Sequence, residues 1–258
     1  MIEPSDLRVY RSAVALLERD PVNRNDLTIY ERHAPEWWDP RSRAFRSLHQ
    51  VTAFRLELLR SWMAEGFAGQ TIYDLGCGGG LLSEPLAEAG ARVVGIDLSG
   101  ESLRVARAHG VRLLAGPAYV RANVTRVPFP EASADGVLLA DVLEHCESPA
   151  AVILEASRLL RPGGWLYVNT INRTARARWV VVHLAETVGL IPRGTHDSRL
   201  FVTPDELQEF AERADLTRVA RCGETPRLWS TVTRRAVTLR PCASLAIAYS
   251  VLYRKALP

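Results

Sequence analysis

The sequence predicts an α/β fold, a mostly parallel sheet wound with helices on both faces. Three observations predict it. Between Thr71 and Thr170, short apolar runs alternate with helix-like segments, the rhythm of a parallel sheet covered on both sides. The first run enters a glycine-rich turn, Gly76-Cys77-Gly78-Gly79-Gly80, which in a doubly wound sheet lies at the carboxyl end of the first strand, beside the ligand crevice. The length of 258 residues, 47% of them hydrophobic and 24% charged, is ample for a buried core and excludes a disordered or disulfide-stapled chain.

The elements follow in order. Arg8 to Arg19 has helical character and ends at Asp20-Pro21. Trp37-Trp38-Asp39-Pro40 sets an aromatic pair before a breaker. Ser47 to Met63 is a helix, because Leu48, Val51, Phe54, Leu58, Leu59 and Trp62 share one side. Thr71 to Leu75 is the first strand. Leu81 to Ala89 is a helix closed by Gly90, and Ala91 to Asp97 the second strand. A helix starts near Ser99 with Glu101 in its first turn. Tyr119 to Asn123 and Asp135 to Ala140 are the third and fourth strands. Pro149 to Leu160 is a helix stopped by Arg161-Pro162-Gly163-Gly164, and Trp165 to Thr170 the fifth strand. Arg173 to Leu190 reads as one long helix, followed by a Pro192–Phe201 loop. Thr203-Pro204-Asp205-Glu206 carries an N-cap, an N1 proline and acids in the first turn of another helix. Leu216 to Arg221 and Ala246 to Tyr253 are late strands. With no repeat and no linker, the expectation is one domain over 1–258: a helical cap (1–65), a ligand-binding core (66–170), a lid (171–203) and the end of the sheet (204–258).

Charge excludes some functions. The balance is +3, from 32 basic and 29 acidic residues, and Lys255 is the only lysine. A surplus that small is no nucleic-acid footprint. Cys77, Cys146, Cys222 and Cys242 form no CxxC pair, so free thiols in a reducing cytosol are expected. Met1 to Arg11 has no apolar core, so no signal peptide is expected. No apolar run approaches ~20 residues; the nearest, Trp179 to Ile191, is interrupted by His183 and Glu186. The expected location is cytoplasmic.

Asp74-Leu75-Gly76-Cys77-Gly78-Gly79-Gly80 is the most informative segment. A dinucleotide fingerprint needs glycine where Leu81 stands. The acid two residues ahead of Gly76 argues against a phosphate and suits a cationic ligand. Asp97, ending the second strand, can accept from both hydroxyls of a ribose. The chemistry is that of a nucleoside with a positive tail. This pattern resembles the class I S-adenosylmethionine-dependent methyltransferases. The resemblance implies a Rossmann-like fold: seven strands, the last antiparallel, and an N-terminal helical extension. It implies S-adenosylmethionine as cofactor and S-adenosylhomocysteine as product. Asp74, Gly76, Cys77, Gly78 and Gly80 would border the amino-acid tail, Asp97 would hold the ribose, and Asn123 would face the adenine. Leu98, Val124 and Ala140 complete the expected cofactor set.

Further segments narrow the resemblance. Trp37-Trp38-Asp39, Leu48-His49, Leu143-Glu144-His145, Thr170-Ile171-Asn172-Arg173 and above all Ile191-Pro192-Arg193-Gly194-Thr195-His196-Asp197 are similar to the ubiquinone-biosynthesis O-methyltransferases, which methylate polyprenylated catechols. The resemblance makes Arg55 a clamp for the methionine carboxylate; the alternative is an arginine on the outer side of its helix. It assigns Asp141, Glu144 and His145 to Mg²⁺, and on a helix these three would share one face. In the competing reading the site is metal-free and His145 is the general base. His196 and Asp197 are second candidates for substrate contact, against a loop held by Asp-to-backbone bonds. Arg173, Arg176 and Arg178 beside Trp179-Val180-Val181-Val182 suit either a peripheral membrane contact through 173–191 or a lid over the active site.

The expected function is methyl transfer to a hydroxyl of a catechol-like acceptor. Rivals are a natural-product O-methyltransferase for a soluble phenol or sugar, and a cofactor-binding protein without catalysis. A nucleic-acid methyltransferase is disfavoured, because Ala140-Asp141-Val142-Leu143 stands where adenine enzymes carry an Asn/Asp-Pro-Pro-aromatic run. Oligomeric state is open.

Overall fold

The computed structural model describes residues 25–257; the helix expected over Arg8–Arg19 lies outside them. The elements are α1 (Thr28–Arg32), α2 (Arg46–Trp62), β1 (Thr71–Leu75), α3 (Ser83–Glu88), β2 (Arg92–Asp97), α4 (Gly100–Gly110), β3 (Ala118–Arg121), β4 (Ala134–Ala140), α5 (Pro149–Leu159), β5 (Leu160–Ile171), α6 (Ala175–Ala177), α7 (Pro204–Arg213), β6 (Leu216–Pro226), α8 (Leu228–Arg234), β7 (Leu239–Cys242) and β8 (Ala248–Lys255).

One sheet runs β3-β2-β1-β4-β5-β8-β6-β7. The first five strands pair in parallel. The last strand, β8, is antiparallel between β5 and β6, as expected, and β7 is antiparallel on the edge. The chain winds outward from β1 in both directions, and the crevice this creates lies at the carboxyl ends of β1 and β4.

Among the described residues the sheet has eight strands rather than the expected seven. The extra strand, β7, reads Leu-Arg-Pro-Cys. It is short, carries a proline and shows no alternation, so only its place on the sheet edge makes it a strand. With α8 it forms an excursion between β6 and β8. Two further expectations change. The long helix over Arg173–Leu190 is a single turn, α6, continued by a π-helix over Arg178–Ala185. The β-branched run Val180-Val181-Val182 crowds a regular α-helix, and the wider π-turn accommodates it. The third strand stops at Arg121, and Asn123 makes only an isolated bridge to Arg126.

The core has two layers. α5 and α7 bury Val152, Ile153, Ala156, Leu207 and Ala211 against one face of the sheet. α2 and α3 bury Leu56, Leu59, Leu86 and Ala87 against the other. Thr203 caps α7 through a reciprocal capping box with Glu206. Gly136 of β4 stands opposite Trp165 of β5. A Cβ there would lie 2.2 Å from the buried indole, which has no free space to move into. Gly136→Ala is therefore expected to cost about 1–3 kcal/mol. A calorimetric Tm several degrees lower supports this packing, and an unchanged Tm contradicts it.

Candidate active site

The glycine turn after β1 is a strained loop held from both sides. Gly76, Gly78 and Gly80 all have positive φ, a region that side chains avoid. From β2, the Ile96 carbonyl accepts from the backbone N–H groups of Gly76 and Cys77 at 2.7 and 3.1 Å. The Asp97 carboxylate accepts from the N–H of Gly78 and of Ser99, each at 2.8 Å. Asp97 thereby ties the loop to the start of α4. Asp74 is buried beneath the turn, accepts from the Ser83 hydroxyl at 2.6 Å, and is pushed up to about 6 by burial. Burial also holds the Cys77 thiol well above its ordinary value, so it is no nucleophile.

The N-terminal segment covers this loop. A Cβ on Gly78 or Gly79 would lie 2.5 Å from the Trp37 ring. The Trp37 indole donates to the Ser102 hydroxyl at 3.0 Å, and that of Trp38 to the Gly79 carbonyl at 3.0 Å. The Trp37-Trp38 pair is thus a clamp on the glycine loop, a role its sequence alone did not disclose. Of the other expected cofactor residues, Leu98 is exposed and Val124 is buried in the core. Ala140 ends β4. Asn123 is exposed, and its side-chain oxygen accepts from the Thr125 N–H and hydroxyl at 2.9 Å.

Beyond β4 lies a buried ionic cluster. Arg55 of α2 pairs with Asp141 and, at 3.4 Å, with Glu224 of β6. Its guanidinium is buried, which excludes the outward-facing alternative. Burial opposes its charge, but Asp141 and Glu224 outweigh burial and hold it above its ordinary value. Glu224 also accepts from Asn169 at 2.6 Å and from Ser250. Glu224 was missed in the sequence; the available signal was an acid at a position where β6 turns inward.

Asp141, Glu144 and His145 do not share a helix face. Leu143–His145 is one 3₁₀ turn, and Asp141 precedes it at φ 55°. Asp141 turns to Arg55. Glu144 is fully buried and accepts from the Thr170 hydroxyl at 2.7 Å, while its other oxygen is buried without a hydrogen-bond partner. His145 Nδ1 lies 2.7 Å from Asn25 Oδ1. Among the described residues no group of three His, Cys, Asp or Glu side chains is disposed to hold a metal ion. These residues do not fit the expected Mg²⁺, and no step is derived through one.

Instead, His145 and His196 face each other, with ring centroids 5.4 Å apart. Burial first, and His196 second, push His145 down to about 3, so it is a neutral imidazole. Its Nε2 is buried with no hydrogen-bond partner. Glu186 folds the His196 loop by accepting from the backbone N–H of Gly194 at 2.9 Å and of His196 at 3.2 Å. Asp197 accepts from the backbone and side chain of Arg199, so it organises its own loop.

His145, His196, Arg55 and Asp141 line one cavity of about 690 Å³. Phe45, Leu48, Val181, Ile191, Trp229 and Leu239 are among the residues that make its remaining wall apolar. That wall comes from α2, the π-helix, the following loop and the α8–β7 excursion. The excursion was read from the sequence only as part of the C-terminal sheet. The arrangement places a neutral His145 among the residues that line the cavity.

Burial and Asp141 push Glu144 up to about 8. Folding therefore takes up a proton between about pH 4.5 and 8, and its contribution to stability falls as pH rises through that window. Glu144→Gln keeps the shape and removes the titration. The variant is expected to gain stability over the parent from pH 5 to pH 9, by at least about 1 kcal/mol or roughly 2–4 °C. Parallel Tm–pH curves contradict the assignment.

Comparisons with known proteins identify the family and the fold. The methyltransferase domain family matches residues 73–168. A ubiquinone biosynthesis O-methyltransferase from Cupriavidus pinatubonensis is 41% identical over 207 residues, 78% of this chain and 80% of that protein. Its counterpart from Bordetella avium is 38% identical over 197 residues, 76% of this chain and 81% of that protein. Among solved structures, a SAM-dependent methyltransferase from Thermotoga maritima superposes with a TM-score of 0.64 at 17% identity, covering 88% of this chain and 98% of the other. The magnesium protoporphyrin IX methyltransferase from Synechocystis, with bound S-adenosylhomocysteine, gives 0.63 at 19% identity, covering 89% and 95%. The structures establish the Rossmann-like class I fold, and the sequence relatives establish more: this chain is an S-adenosylmethionine-dependent methyltransferase and belongs to the ubiquinone biosynthesis O-methyltransferase family.

Proposed function

We propose that the chain methylates a hydroxyl of a catechol-like acceptor carrying an apolar, prenyl-type tail. The observation that carries this reading is the cavity of about 690 Å³, whose lining is mainly apolar and includes Arg55, Asp141, His145 and His196. A soluble sugar has no use for such a wall, whereas a prenyl chain buries against it at roughly 25 cal/mol per Å². The names of the ubiquinone biosynthesis relatives support the same acceptor class.

The crevice residues suit the cofactor. Two acids, Asp74 and Asp97, flank a turn built of positive-φ glycines, a setting that favours a cation and a ribose over a phosphate. We assign Asp97 and Leu98 to the ribose, Asn123 and Val124 to the adenine end, and Asp74, Gly76, Cys77, Gly78, Gly80 and Ala140 to the amino-acid end. Arg55, charged in its cluster, stands available for the carboxylate. The bound cofactor supplies a methyl group on a sulfonium.

The protein's own part is alignment and proton acceptance. As the new oxygen–carbon bond forms, the carbon–sulfur bond breaks and its electron pair stays on sulfur. The hydroxyl proton passes to His145 Nε2 and later leaves to solvent. A weak base suffices, because a phenolic oxygen accepting a methyl group becomes strongly acidic in the transition state. Most of the acceleration comes from holding the reacting atoms in line.

The cavity mouth supports peripheral contact with an anionic membrane through 173–191, where such an acceptor would reside. Trp179 in the π-helix is 59% exposed and Trp229 of α8 is 80% exposed, yet both also line the cavity. Arg176, Arg178 and Arg227 stand beside them, the composition of an interfacial surface. Among the described residues no helix is long and apolar enough to cross a membrane.

The test is methyl transfer from S-adenosylmethionine to a short-prenyl catechol. O-methylated product is expected, and His145→Gln is expected to lower kcat by about 100-fold or more with S-adenosylhomocysteine binding intact. Calorimetric binding of S-adenosylhomocysteine without any catechol product overturns the acceptor assignment.

A further inference from the structure

Asn25 lies far from the glycine loop in sequence and was singled out by no motif. Its backbone is left-handed, at φ 60°, a conformation asparagine tolerates. The next residue, Asp26, donates its N–H to the Gly194 carbonyl at 3.1 Å, which fastens this stretch to the loop that bears His196.

Asn25 makes two bonds to one residue. Its Nδ2 donates to the main-chain carbonyl of His145 at 3.3 Å, and its Oδ1 lies 2.7 Å from His145 Nδ1. Together they settle a proton position that coordinates alone leave open. A main-chain carbonyl only accepts, so the amide nitrogen must face it. The amide oxygen must then face Nδ1, and an oxygen can only accept. Nδ1 therefore carries the proton. In the neutral ring, Nε2 is left with its lone pair, and that atom is buried without a hydrogen-bond partner, in a residue that lines the acceptor cavity.

We infer that Asn25 is a positioning residue for methyl transfer: it fixes His145 as the Nδ1–H tautomer and so keeps Nε2 a proton acceptor, rather than an N–H donor, for the acceptor hydroxyl. The opposite tautomer would present a donor to a group that must itself donate, and proton transfer would stop. The main-chain bond adds a second constraint, holding the ring's own backbone against the same amide. The role rests on the proposed reading of His145 as proton acceptor; the tautomer does not.

The two can therefore be tested separately. In protein labelled with ¹⁵N-histidine, nitrogen shifts distinguish a protonated from an unprotonated ring nitrogen, and His145→Gln identifies the signals of His145. The parent is expected to show Nδ1 protonated and Nε2 bare without any acceptor present. Asn25→Ala is expected to release the ring to the Nε2–H form or to exchange between forms. It should lower kcat at least tenfold with the acceptor KM and S-adenosylhomocysteine affinity unchanged, and Asn25→Asp, which retains an oxygen acceptor, should recover part of the loss. A parent protein with Nε2 protonated overturns the inference. So does a folded Asn25→Ala variant that keeps the Nδ1–H tautomer or the parental kcat. If the tautomer is as inferred but the parent does not methylate a catechol, the acceptor reading has failed and the lock has not.

Discussion

The site depends on one buried guanidinium. Arg55 belongs to the N-terminal helix α2, Asp141 follows β4 and Glu224 lies on β6. A single side chain thus ties the helix α2 to the parallel part of the sheet after β4 and to the antiparallel part on β6. Removing one member of such a buried pair is costly, about 3–5 kcal/mol, because it strands an uncompensated charge. Arg55 and Asp141 also line the apolar cavity, so the cluster sets a fixed charge in its wall.

The cavity keeps an acceptor group dry and neutral. His145 has its charge suppressed by burial and by His196, and its Nδ1 is occupied by Asn25. Neutral imidazole in an apolar setting is poor at general proton storage and well suited to taking a proton late, when the attacking oxygen has begun to carry the methyl group. In the proposed reading, the same apolar wall buries the tail and sets the chemistry of the base.

Local features were legible in the sequence, and features made by distant contacts were not. The Thr203 cap bonds a residue three positions away, and the glycine turn and Asp97 sit at the ends of consecutive strands, so motif and spacing placed them. Arg55 was found through resemblance, but its partner Glu224 is 169 positions away and Asn25 is 120 positions from His145. Asp141, Glu144 and His145 were grouped through resemblance, with a shared face only if helical; the left-handed turn at Asp141 and a single 3₁₀ turn separate their side chains. The 173–190 segment was read as one long helix because its apolar content is helical in pattern, while Arg178–Ala185, with its three consecutive valines, is a π-helix. The eighth strand had no alternation to reveal it.

The most direct measurement is a crystal structure with S-adenosylhomocysteine and a short-prenyl catechol bound together. The account predicts the acceptor hydroxyl within about 3.2 Å of His145 Nε2, the sulfur on the glycine-loop side, and the prenyl tail lying toward Trp229. An acceptor bound outside this cavity, or seated in it with its hydroxyl turned away from His145, would contradict the account.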